Sequence, residues 1–143
     1  MSYADYIKLF ESFINTNTDK EKLQQLLELN DNPNYHNELV NQFHDVIHNR
    51  LQLSIDKIIS NLEIIFDDHN YMDFILVTFK KEIEYLISML NCKILDDVTR
   101  ANFKAEIKEN LDKIYDILDK KALEFDYTGV LSMMISSNKV KWS

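Results

Sequence analysis

Among the residues able to do chemistry, the histidines stand out first. His36, His44, His48 and His69 all fall in the first half of the chain. His44-Asp45-Val46-Ile47-His48 is the pattern best suited to chemistry. Histidines at i and i+4 project from one face of a helix, where two imidazoles can share a metal ion. His36 lies eight residues upstream of His44, on roughly the same side. The zinc-protease pattern places Glu directly after its first His, and here that position is Asp45. A carboxylate-bridged bundle site requires Glu-x-x-His pairs, and the sequence has none. His44 and His48 also border an apolar stripe, where amphipathic side chains belong for reasons of packing alone. A helical metal-dependent enzyme using His44 and His48 is therefore the second alternative, behind a packing role.

Other nucleophiles and acids carry less. Cys92, the single cysteine, sits at the end of an apolar segment with Lys93 beside it. A cation favours a thiolate and a helix C-terminus opposes it. No G-x-S-x-G elbow surrounds any serine. One Gly in 143 residues excludes phosphate-cradling and dinucleotide-binding loops as normally built. Asp67-Asp68 and Asp96-Asp97 are adjacent acids that point about 100° apart on a helix, so neither is a convergent dyad. Both pairs lie where helices meet and read as caps. Neither a catalytic group nor a cofactor site is expected.

The elements that would position these residues are helices throughout. One Gly and one Pro leave little material for hairpins, while 45% hydrophobic residues suffice for one core. The spacing predicts helices over about Tyr3–Asn15, over a short segment after a Thr18–Glu21 capping box, and over residues 35–66, 71–91 and 98–126. Asn32 and Pro33 read as cap and first residue of the third helix, Asn70 as cap of the fourth, and Gly129 as the C-terminal cap of the fifth. Leu39, Phe43, Val46, Ile47, Leu51, Ile55, Ile58, Ile59, Leu62, Ile65 and Phe66 keep the 3/4 spacing, which makes a straight helix of about 48 Å. The stripe of the fifth helix runs from Phe103 to Phe125. The tail, 130–143, holds a candidate docked helix and a final Asn138–Ser143 stretch that alternates like a strand, with no partner strand elsewhere. The expected fold is all-α, one domain over 1–143, a bundle of about five helices, mostly antiparallel, with a short C-terminal appendage.

Charge and surplus apolar surface direct the functional reading. The formal net charge is −8, and residues 1–70 hold 12 acids against 5 bases. That field repels phosphate backbones and anionic membranes and attracts basic proteins, so direct nucleic-acid and membrane binding are not expected. No segment has the roughly 20 apolar residues of a membrane span. The N-terminal residues lack a basic signal region, and the lone cysteine suits a reducing compartment, so a cytoplasmic protein is expected. The segment 71–91 is apolar on more than one face. Phe74, Val77 and Met89 extend it beyond a single core-facing stripe, and Trp142 is a costly residue to expose, which either docks back on its own bundle or anchors a partner. Together they suggest a non-enzymatic protein-interaction module, an adaptor, inhibitor or immunity-type protein, whose acidic surface steers a basic partner. A structural homo-oligomer joined through Phe74, Val77 and Met89 is the alternative.

Overall fold

Seven helices are present among the described residues, which in this computed structural model are 2–13, 19–125 and 129–140. They are α1 (Tyr3–Glu11), α2 (Lys20–Leu27), α3 (His36–Ser60), α4 (Leu62–Asp67), α5 (His69–Met89), α6 (Asp97–Phe125) and α7 (Val130–Ser137). The protein is all-α.

Short polar side chains set the starts of α1, α2, α5 and α6. Ser2 and Asp5 form a reciprocal capping box at α1. Asp19 accepts the Glu21 and Lys22 amides at 2.9 and 3.3 Å to open α2. Thr18, expected to do this, lies outside the described residues. Both expected acidic junctions cap. Asp68 accepts the Asn70 and Tyr71 amides at 3.0 and 3.2 Å, and Asp96 accepts the Thr99 amide at 2.7 Å. Asp68, not Asn70, is therefore the cap of α5.

Several expected boundaries move. The segment 35–66 is two helices, because Asn61 leaves helical geometry at φ −116°, ψ 15°. Its side-chain amide donates to the Lys57 carbonyl at 2.7 Å, a local bond that competes with the helix ladder. Pro33 sits in a turn closed by Asn32, and α3 begins only at His36. Gly129, expected to end the fifth helix, instead precedes α7, where its φ of +80° suits a residue without a Cβ.

The core forms where three long helices meet. Arg50 of α3 pairs with Glu82 of α5, and Phe79 of α5 meets Tyr115 of α6. With the near-immediate turn at Asp68, those pairings run α5 antiparallel to both α3 and α6. Phe43 against Phe103, and Phe66 against Phe125, carry α3–α4 and α6 in the same direction. Helix α1 lies along α3 through Phe10 and Phe43, α2 along α5, and α7 across α5 and α6. Helix α5 is thus flanked by α2, α3, α4 and α7, and by α6 through Phe79 and Tyr115, which explains its wide apolar arc.

Arg100 closes the α5–α6 junction. Its guanidinium donates to the carbonyls of Leu90 at 2.6 Å, Leu95 at 2.8 Å and Cys92 at 3.4 Å. Ile94 and Leu95 in the same link are buried. Arg100→Ala removes the charged donor from all three carbonyls and is expected to cost about 1–3 kcal/mol. Urea unfolding checks this: the midpoint falls while the slope is unchanged.

Candidate functional site

The i,i+4 histidines meet a residue that helical spacing had not tied to them. His44 Nε2–H donates to Glu106 Oε2 at 2.7 Å, and His48 Nδ1–H donates to Glu106 Oε1 at 3.3 Å. The two rings stack with centroids 6.0 Å apart, and His44 also packs on Phe103. One carboxylate on α6 therefore holds two imidazoles of α3. Burial raises the Glu106 pKa, but the two imidazole hydrogen bonds outweigh it and leave the carboxyl below its ordinary value of 4.5. Among the described residues no group of three or more His, Cys, Asp or Glu is arranged to hold a metal ion. The arrangement works as a clamp between helices.

The pH dependence of that clamp has a definite sign. A carboxyl depressed in the folded state stabilises above its ordinary pKa and loses the contribution as pH falls through its folded value. Glu106→Gln is expected to lower stability at pH 7 by under about 1 kcal/mol, because pairs this exposed are screened. That difference should vanish below the folded pKa of Glu106. Urea midpoints of the two proteins, measured from pH 7 down into the acid range, give the comparison.

A second, buried ionic cluster that composition could not reveal joins α3 to α5. Arg50 is 2% exposed, with Nε and Nη2 donating to the two Glu82 carboxylate oxygens at 2.7 Å each. Its Nη1 donates to the Phe13 carbonyl at 3.1 Å, and the guanidinium lies 4.7 Å from the Tyr85 ring centroid. Tyr85 in turn donates its hydroxyl to the Asp19 carbonyl at 2.9 Å. Burial pushes the Tyr85 hydroxyl pKa up, against the opposing pull of Arg50. These bonds join α3 and α5 to the residues that close α1 and open α2.

Cys92 is fully buried, with its Sγ donating to the Leu26 carbonyl at 3.3 Å. Burial also raises its thiol pKa. Such a thiol is a packing residue, not a nucleophile.

The residues expected to meet a partner separate into three groups. Met89 is fully buried and cannot contribute a surface, and Tyr85 and Ile87 likewise face inward. Helix α2 packs against α5, and the Tyr85 hydroxyl donates to the carbonyl of its cap residue Asp19. Phe74 is 63% exposed and Val77 is half-buried, so both remain on the outer face of α5. Trp142 lies outside the described residues.

Two other exposed apolar side chains lie towards the same end of the bundle, whereas Val98 at the start of α6 and Met133 on α7 are exposed elsewhere. Ile64 on α4 is 57% exposed and Phe125 at the end of α6 is 53% exposed. The Phe125 ring meets Phe66 of α4 at 6.2 Å, which joins the end of α6 to the α4–α5 corner. Both Ile59 and Phe125, expected in the core, stay substantially accessible. Sequence reading also missed Ile64, which falls off the stripe. A compositional signal marked the place: residues 58–79 contain four acids, Glu63, Asp67, Asp68 and Asp73, and no Lys or Arg. All four are exposed.

A groove of about 390 Å³ runs between α6 and the tail, lined by Lys108, Asp112, Tyr115, Asp116, Asp119 and Lys139 among others. Lys139 pairs with Asp119 at 3.1 Å and lies over the Tyr115 ring at 5.4 Å, and the Val140 amide donates to the Tyr115 hydroxyl at 3.2 Å. These contacts hold the tail against α6.

No protein-family model matches this chain, and no curated protein or solved structure matches it. No helix among the described residues is long and apolar enough to cross a membrane.

Proposed function

We propose that this protein is a non-enzymatic protein-interaction module, an adaptor, inhibitor or immunity-type protein that acts by occupying a basic partner. The observation that supports this best is the α4–α5 corner. There Phe74 and Ile64 stay exposed beside four carboxylates, in a stretch free of Lys and Arg. Exposed aromatic side chains set in a charged rim are characteristic of binding surfaces. The net charge of −8 adds long-range attraction for a basic protein and repulsion of nucleic acid and anionic lipid. A homo-oligomer through this corner is less favoured. A two-fold interface sets one patch against its own copy, which would bring four carboxylates towards four others.

The test is recovery of partners from the native cell on immobilised protein, wild type beside Phe74→Asp, with elution by a salt gradient. A stoichiometric basic protein, held by wild type and lost with Phe74→Asp, is the expected result. Recovery of the bait alone, at a mass above one chain, would transfer the proposal to the homo-oligomer.

A further inference from the structure

Taking the interaction-module reading as its basis, we infer that the α4–α5 corner receives a cationic amphipathic helix of a partner protein, with Phe74 and Ile64 as its apolar anchors. Charge complementarity selects the sign of the occupant. From Ile58 to Phe79 the surface offers Glu63, Asp67, Asp68 and Asp73 and no base. Lys57 and Lys80 bound that run, and Lys121 of α6 is engaged over the Phe125 ring at 5.0 Å. A second copy brings like charges to this surface, as argued above, and an anionic membrane does the same.

The backbone selects the form of the occupant. An extended peptide gains its affinity by adding to an open sheet edge, and the described residues contain no strand. Helix against helix is the mode that an all-helical surface offers most directly, with anchors at i, i+3, i+4 and i+7 meeting exposed apolar side chains and basic residues flanking them. Apolar contact supplies the affinity and the carboxylates supply orientation and speed of encounter.

Three synthetic peptides of about 18 residues, long enough for several helical turns, test this on the full chain by fluorescence anisotropy. One carries a Leu stripe at helical spacing with Lys on the other face. The second replaces Leu by Ser at the same charge, and the third replaces Lys by Glu. The Lys/Leu peptide is expected to bind about tenfold or more tightly than either control. Phe74→Asp should weaken it about tenfold. The triple variant Glu63→Gln, Asp67→Asn, Asp73→Asn, which keeps the Asp68 cap, should flatten its salt dependence. Backbone amide exchange should show protection between residues 60 and 80.

Equal binding of the Lys/Ser peptide, or binding unchanged by Phe74→Asp, would overturn the anchor assignment. Protection along the Asp112–Asp119 groove, in place of the corner, would remove this surface while leaving the interaction-module reading intact. Failure of all three peptides, joined to a mass of two chains that Phe74→Asp returns to one, would overturn both readings together.

Discussion

Arg50→Met is expected to destabilise the fold by about 3–5 kcal/mol, the range for breaking a buried ion pair from one side. Glu82 would keep its charge in a site with little water, its side chain being 19% exposed, and lose both guanidinium hydrogen bonds. The Phe13 carbonyl would lose its donor and the Tyr85 ring its cation. For a chain of this size the thermal midpoint should fall by roughly 10–15 °C. Pairing Arg50→Met with Glu82→Leu should return most of the loss, because apolar groups of similar volume replace a buried pair at little cost. Calorimetry on the wild type, both single variants and the double variant decides it. Single variants within about 1 kcal/mol of wild type would mean that the pair is solvated in solution.

The second large effect belongs to Phe43. Its ring is fully buried between Phe10 of α1, edge-on at 6.1 Å, and Phe103 of α6, stacked at 6.3 Å. Phe43→Ala opens a cavity where three helices meet and is expected to cost about 3–5 kcal/mol. Phe74→Ala, which removes the same ring from an exposed position, should stay within about 0.5 kcal/mol. Denaturant unfolding of the two variants side by side therefore separates core from surface. A Phe74 variant as damaged as the Phe43 variant would remove the basis for a binding role at the corner.

The helical class and the long helices were legible because 3/4 spacing is strong over 20 or more residues, and Leu39 to Ile58 or Phe103 to Leu118 scarcely depart from it. Helix junctions at Asp68 and Asp96 were legible because a carboxylate at a helix start has few other uses. The break at Asn61 was not, since Leu62, Ile65 and Phe66 continue the stripe without a pause. An asparagine that bonds Lys57 in place of continuing the ladder leaves no mark in hydropathy. Met89 was read as surplus for a similar reason. A helix with several apolar faces shows that it has several neighbours without showing which, and here α2 is one of them.

What the sequence determined by itself was local and additive: helix periods, caps, the acidic first half and the base-free run from Ile58 to Phe79. Each depends on residues within a few turns of one another, and such terms can be read along the chain. Only the tertiary structure decided the rest. Glu106 lies 58 residues beyond His48, and Glu82 lies 32 beyond Arg50. No spacing rule links such positions, because contact across helices depends on how three long rods pack together. The same packing buried Met89 and left Phe74 exposed on one helix, and so turned an excess of apolar residues into a core and a candidate surface.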